Sequence, residues 1–346
     1  MLDEQIGAAR AVATAWLDAL GVRPQPPPLA QTPRDEHALE GGARLYRFHR
    51  PGVAPTVQRP ILLVPSLINR WYVLDLRPGA SLVEALVGAG LDVWLLDWGV
   101  PEAEDRFLDW DAVLRRLGRA VRKVQRTTAQ PKLGVLGYCM GGSLTAIHAA
   151  QHPDAYAALV TLAAPIDFSA GGMLKTMVDP RWFDADAIAD AGNVAPSQMQ
   201  SGFTALRPTL DAAKLMSYPD LCVDAKARAG FLALEAWAGD NIPFPAAAYR
   251  RYIRELYQEN QLVTGTHRAN GRPAPLSAIT CPTLVITASR DTICPPAAAT
   301  ALTKLVSSRD TAVIEVAGGH VGACVGSKAA KEMYPALIRW LAPRLA

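Results

Sequence analysis

The chain lacks the features that would point to a metal, a membrane span or a nucleic acid. Only five of its 346 residues are cysteine: Cys139, Cys222, Cys281, Cys294 and Cys324. Their number is odd, their spacing is irregular and no C-x-x-C occurs, so neither a disulfide framework nor a zinc site is indicated. His320 and Cys324 have a spacing that metal ligands can take, but no two further ligands stand at suitable distances. Charge is sparse too, at 19% Asp, Glu, Lys and Arg, against roughly 25% in an average domain. The net charge of +3 favours no particular partner. No dense Lys/Arg stripe with interleaved aromatics is present, so nucleic acid is not an expected ligand. No run approaches the ~18 uninterrupted apolar residues of a membrane span. The N-terminus, Met1-Leu-Asp-Glu-Gln, is acidic and lacks the apolar core of a secretory signal. The expected location is the cytoplasm.

What is abundant is apolar: hydrophobic residues make up 50% of the chain, enough for a large core. Residues 3–20 read as a helix with Ile6, Val12, Ala13, Trp16, Leu17 and Leu20 near one face. Residues 22–42, with Pro24, Pro26, Pro27, Pro28 and Pro33 and then Gly41-Gly42, read as an extended linker. Short apolar runs then alternate with helical segments. Strands are expected over 43–48, 59–65, 91–98, 133–136 and 156–163, and helices over 78–89, 109–127 and 141–152. This rhythm implies a mostly parallel sheet with helices on both faces. It stops from about Ile166 to Leu276, a helical stretch rich in proline and aromatics, and resumes with strands over 283–288 and 311–316. Helices are expected over 296–306 and 327–341. The expected organisation is an N-terminal helix and Pro-rich linker over 1–42, a core made of 43–165 and 277–346, and an inserted cap over 166–276.

The chain is organised around Lys132-Leu-Gly-Val-Leu-Gly137-Tyr138-Cys139-Met140-Gly141-Gly142-Ser143. An apolar strand runs into Gly137-x-Cys139-x-Gly141 and a helix follows at once. This is the strand–turn–helix pattern of a nucleophile elbow, with Cys in the place Ser usually holds. The turn is sharp, so residues two before and two after the nucleophile must lack clashing side chains. A Gly-rich turn carrying an inert Cys has the same pattern.

A Cys nucleophile needs a base, and the base needs an orienting group. In an α/β-hydrolase fold these follow in the order nucleophile, acid, His. Asp291 follows the strand 283–288, and His320 follows the strand 311–316 within Gly318-Gly319-His320. Taken singly, Asp291 could be a helix N-cap and His320 a loop histidine. Together they are the three required residue types at three strand ends. Of the other histidines, His148 looks structural, and His37, His49, His152 and His267 look like surface or strand-end residues. The oxyanion donors of such a fold are the backbone N–H after the nucleophile, at Met140, and one from the Leu67–Ile68 region.

These residues resemble the polyhydroxyalkanoate synthases. Pro65-Ser-Leu-Ile-Asn69-Arg70-Trp-Tyr72-Val-Leu-Asp75-Leu is similar to an "INR/K…Y-x-x-D-L" segment of that family, and Gly137–Gly142 to its G-x-C-x-G-G box. Asp97-Trp98, Gly192-Asn193-Val194, Glu235-Ala-Trp237, Tyr257-Gln-Glu-Asn260-x-Leu-Val and Gly318-Gly319-His320-Val-Gly322 resemble its short, class III catalytic subunits. The resemblance implies an α/β-hydrolase fold and an acyltransferase that polymerises 3-hydroxyacyl-CoA. Cys139 would carry the acyl group, His320 would be the general base and Asp291 its partner, and Ile68 and Met140 would be the oxyanion donors. It implies no cofactor, coenzyme A being the leaving group. It also implies a growing polyester as co-substrate, a non-catalytic second subunit, a dimeric or larger form and a place at polymer granules.

Cysteine suits this chemistry. Transfer from the sulfur of coenzyme A to that of Cys139 is nearly isoenergetic, so the acyl group stays activated for the chain hydroxyl. An acyl-Ser ester would have lost that activation. A Cys-dependent esterase, thioesterase or polyester depolymerase of the same fold is the competing reading, and a non-catalytic granule scaffold is a third.

Overall fold

A computed structural model describes residues 26–206 and 224–346. The expected helix over 3–20 lies outside these residues. The frame is one eight-stranded sheet. Its strands are β1 (Arg34–Ala38), β2 (Arg44–Phe48), β3 (Ile61–Val64), β4 (Val93–Asp97), β5 (Leu133–Tyr138), β6 (Tyr156–Leu162), β7 (Thr283–Ala288) and β8 (Thr311–Val316). Their spatial order is β1-β2-β4-β3-β5-β6-β7-β8. β1 pairs antiparallel with β2, and β2 with β4; every other pairing is parallel. β3 to β7 are buried on both faces, which is why they read as unbroken apolar runs.

One expectation fails here. Residues 22–42 do not form an extended linker throughout, because Arg34–Ala38 is β1. The sheet therefore begins ahead of residue 43. β1 is an edge strand with four of its five residues exposed, so it carries no apolar alternation. Its cross-strand support is polar or aromatic: Glu36 meets Arg44 at 3.2 Å and His37 stacks on Trp94 at 5.3 Å.

Helix α1 (Leu82–Gly88) and the C-terminal helix Tyr334–Leu345 cover one face of the sheet. Helices α2 (Trp110–Thr128) and α3 (Met140–Gln151) cover the other. α1 starts at Leu82 rather than 78, because Asp75–Arg77 and Ala80–Ser81 pair as a small hairpin and Ser81 caps the helix through Glu84 N–H at 2.8 Å. The helix expected over 296–306 is two short helices, Pro296–Thr300 and Leu302–Leu305. Between β6 and β7 the described elements are mostly helical. Their apolar side chains Val178, Val194, Phe244, Tyr252 and Tyr257 join the α2–α3 side of the core.

Strand pairing sets the active end of the molecule. Val64 stands opposite Gly137, Tyr138 opposite Leu162, Leu162 opposite Ile286, and Ala288 opposite Val316. The loops leaving β3, β5, β7 and β8 therefore emerge along one edge. Ile68, Cys139, Asp291 and His320 lie in those loops.

Candidate active site

Cys139 sits between β5 and α3 with φ 54° and ψ −129°, a strained position for any residue with a side chain. Its N–H donates to Leu162 C=O at 2.9 Å and its C=O accepts from Gly142 N–H at 2.9 Å. The flanking glycines are steric requirements. A Cβ on Gly141 would lie 2.1 Å from the Val64 carbonyl oxygen and 2.5 Å from that of Pro65. One on Gly137 would lie 2.4 Å from Gly142 Cα, and one on Gly142 would lie 2.2 Å from Ala164 Cβ. The turn is thus pressed against β3, and only glycine fits.

His320 Nδ1 is 2.7 Å from Asp291 Oδ2, with both side chains buried. The carboxylate has two jobs. Its other oxygen, Oδ1, accepts the N–H groups of Ile293 and Cys294 at 2.9 and 2.8 Å. Asp291 is not the N-cap of the following helix, which is Pro295, but one of its oxygens closes the turn ahead of that helix while the other meets His320. His320 also interacts with Cys139. Burial opposes a charge on the imidazole, but the Cys139 sulfur and the Asp291 carboxylate more than offset it, raising its pKa to about 10.

Met140 is the first residue of α3, where a backbone N–H has no partner inside the helix. Ile68 is buried in the loop after β3. That loop is tied down on both sides. Trp98 Nε1 donates to Pro65 C=O at 3.0 Å. Asn69 Nδ2 donates to Asn241 Oδ1 at 2.6 Å, Trp237 Nε1 to Arg70 C=O at 2.9 Å, and Tyr72 O–H to Asp240 at 2.7 Å.

Cys139, Met140 and Ile68 open onto a cavity of about 260 Å³. Its wall is mainly apolar, with Leu174, Val178, Phe183, Val194, Phe244 and Ile253 among its residues. Such a wall excludes water and strengthens electrostatic interactions inside. Among the described residues, no three His, Cys, Asp or Glu side chains gather as they would around a metal ion. Among the same residues, no helix is long and apolar enough to cross a membrane.

The α/β hydrolase fold family model matches residues 59–325. The poly(3-hydroxyalkanoate) polymerase subunit of Allochromatium vinosum is 35% identical over 305 residues, covering 87% of this chain and 85% of that one. Its counterpart from Synechocystis sp. is 33% identical over 90% of this chain and 85% of its own. The chain belongs to the poly(3-hydroxyalkanoate) polymerase family. Solved structures agree on the fold. A monoacylglycerol lipase of Paleococcus ferrophilus superposes with TM-score 0.54 at 15% identity over 90% of this chain and 99% of its own. A thermophilic esterase of Thermogutta terrifontis gives 0.54 at 17% identity over 91% of this chain and 100% of its own.

Other histidines of this polymerase-family chain lie away from the cavity. His148 is structural, as expected: its Nδ1 is 2.7 Å from Tyr156 O–H, and burial pulls its pKa down to about 3. His267 stands at a strand end, just ahead of Arg268–Ala269, and it is buried there, 3.4 Å from Glu255, with its pKa lowered by burial to about 4. Two residues at the site are not among those expected: Tyr138, whose ring lies 5.4 Å from that of His320 and helps fix it, and Cys294, which lines the cavity. Tyr138 occupies the variable position of the elbow box, so no spacing rule marks it.

Proposed function

We propose that this chain polymerises 3-hydroxyacyl units from coenzyme A thioesters into a polyester through an acyl-Cys139 intermediate. The observation that carries the reading is a cysteine elbow, backed by the His320–Asp291 pair, opening onto an apolar cavity in a chain of this family. Cys139 passes its proton to His320 and its Sγ attacks the thioester carbonyl, the negative oxygen is met by the Met140 and Ile68 N–H groups, and the coenzyme A sulfur leaves with the proton from His320. In the second step the hydroxyl of a 3-hydroxyacyl chain attacks the acyl-Cys139 carbonyl. His320 takes the hydroxyl proton, and the departing Cys139 sulfur recovers it as a thiol. Asp291 keeps Nδ1 protonated, so that Nε2 serves Cys139.

No cofactor enters this scheme. The partners are the acyl-CoA and the growing chain, and a second non-catalytic subunit or a second copy would complete the active form at a granule surface. Incubation with 3-hydroxybutyryl-CoA, with and without a candidate second subunit, tests the reading. Coenzyme A release with polymer formation, and mass labelling of Cys139, is expected. Release with free acid alone under both conditions would make the protein a hydrolase. A Cys139→Ala variant that still forms polymer would remove the nucleophile from the scheme.

A further inference from the structure

Three tyrosines in the cavity wall, Tyr249, Tyr252 and Tyr257, have no task in the acyl-transfer scheme, and the last two form a pair. Tyr252 and Tyr257 are both buried and both line the cavity that opens at Cys139. They stand five residues apart. In an α-helix, residues five apart point about 140° away from each other. Here Tyr252–Gln258 is a π-helix, whose i→i+5 hydrogen bonds set residue i+5 above residue i. The wider turn brings the two rings to the same wall with centroids 5.4 Å apart. Neighbouring rings hold them there. Tyr252 packs on Trp110 at 5.5 Å and on Phe168 at 5.8 Å, and Tyr257 on Phe168 at 4.7 Å.

Burial keeps both phenols protonated far above neutral pH. Two neutral phenols carry two O–H donors, and a bond between them would use only one. At least one donor is left for whatever fills the cavity. Gln198 spends its amide oxygen on Ala195 N–H at 2.8 Å, and Tyr249 is only half-buried, packed on Phe244 at 5.5 Å, so the buried pair is the most desolvated polar feature of the wall. An apolar wall carrying a fixed hydroxyl pair is built for an acyl chain bearing an oxygen near its activated end.

We propose that the Tyr252–Tyr257 pair binds the 3-hydroxyl of the acyl unit carried by Cys139 and makes the site prefer 3-hydroxyacyl over plain acyl thioesters. The proposal rests on the acyl-transfer reading and deepens it. A substrate lacking the hydroxyl leaves a buried donor unpaired, which is how such sites discriminate.

The test compares 3-hydroxybutyryl-CoA with butyryl-CoA in single-turnover, rapid-quench release of coenzyme A, which isolates acylation of Cys139. The wild type is expected to prefer the hydroxyacyl thioester by at least about tenfold, the worth of one net hydrogen bond. The Tyr252→Phe/Tyr257→Phe double variant is expected to lose that ratio, and each single variant part of it. The ratio is internal to each preparation, so a misfolded fraction cancels. A ratio unchanged in the double variant, or absent in the wild type, overturns the proposal. A wild type that releases coenzyme A from neither thioester overturns the acyl-transfer reading itself, and the proposal with it.

Discussion

Replacing Asp291 separates its two jobs. In Asp291→Asn, the retained Oδ1 can still accept from Ile293 and Cys294, now bonded at 2.9 and 2.8 Å, so the turn survives. The change falls on the other side, where Oδ2 lies 2.7 Å from His320 Nδ1. An amide there donates a proton, so Nδ1 must become the acceptor and the ring proton moves to Nε2, toward Cys139. A histidine in that tautomer cannot take the proton of Cys139 or of a chain hydroxyl. The corresponding exchange in serine-protease triads costs about 10⁴-fold. A thiol ionises more readily than a hydroxyl, so the loss expected here lies between about 10²- and 10⁴-fold in coenzyme A release. Stability should stay within about 1–2 kcal/mol of wild type, because one polar contact is replaced and none is orphaned. Asp291→Ala removes all three contacts and leaves buried N–H groups unpaired, at about 1–3 kcal/mol each. It should lower urea stability by about 2–5 kcal/mol as well as activity. In both variants a group that raises the His320 pKa is gone while burial still lowers it, so the imidazole should titrate below the wild-type value of about 10, as read by its NMR ring-proton shift. Coenzyme A release by Asp291→Asn within tenfold of wild type would refute the tautomer argument.

The remaining expectations concern the scaffold. Gly141→Ala puts a Cβ 2.1 Å from the Val64 carbonyl oxygen, a backbone atom that cannot swing away, so a loss of about 1–3 kcal/mol or more is expected in thermal melts; an unchanged melting point would mean the elbow is not pressed on β3. His148 is neutral in the folded protein, with its pKa lowered to about 3, while the unfolded chain binds its proton near pH 6.5. Its contribution is therefore complete above about pH 6.5 and is lost as pH falls toward 3, with a slope approaching about 1.4 kcal/mol per pH unit. His148→Gln should remove that part of the slope in urea titrations at stepped pH, and an equally steep profile would contradict the neutral assignment. Asn69→Ala breaks the 2.6 Å bond to Asn241 that holds the Ile68 loop against the cap. Turnover should fall about tenfold while the melting point moves little; a large melting shift with unchanged turnover per folded molecule would make the contact merely structural.

The sequence made legible what depends on a strand being buried on both faces or on chain order. β3 to β7 announced themselves as apolar runs, and Cys139, Asp291 and His320 were placed by the strand ends they follow. β1 was invisible because an edge strand needs no apolar face, and the prolines ahead of it argued for a linker. The burial of His267 depends on contacts with Arg251 and Glu255 that no local pattern encodes. The π-helical turn was equally hidden. Tyr252 and Tyr257 differ from a helical i, i+4 pair by one residue, and only the turn's hydrogen bonding makes five a face-sharing interval. Both tyrosines lie in the aromatic-rich stretch over 166–276, where no local pattern pairs them.

The residues that carried the family resemblance are for the most part not those that would do chemistry, and the structure gives a physical reason. Asn69, Arg70, Tyr72 and Trp237 tie the Ile68 loop to the segment around Asp240 and Asn241. Asn193 donates to Glu102 C=O at 2.7 Å and accepts from Ala246 N–H at 3.2 Å, fixing the Val194–Phe244 pair in the cavity wall. Asn260, at φ 51°, accepts from Phe168 N–H at 2.9 Å, and Phe168 in turn packs on both cavity tyrosines. Each of these side chains carries a polar group, whether amide, guanidinium, phenol or indole N–H, that bonds from its own segment to one distant in the chain. An aliphatic residue of similar volume could fill the space but could not bond to both segments. A triad can be assembled on many hydrolase-fold chains. Under the proposed scheme an acyl-Cys must meet a chain hydroxyl before it meets water, and these bridging groups are what hold the apolar cavity wall in register with the Ile68 loop.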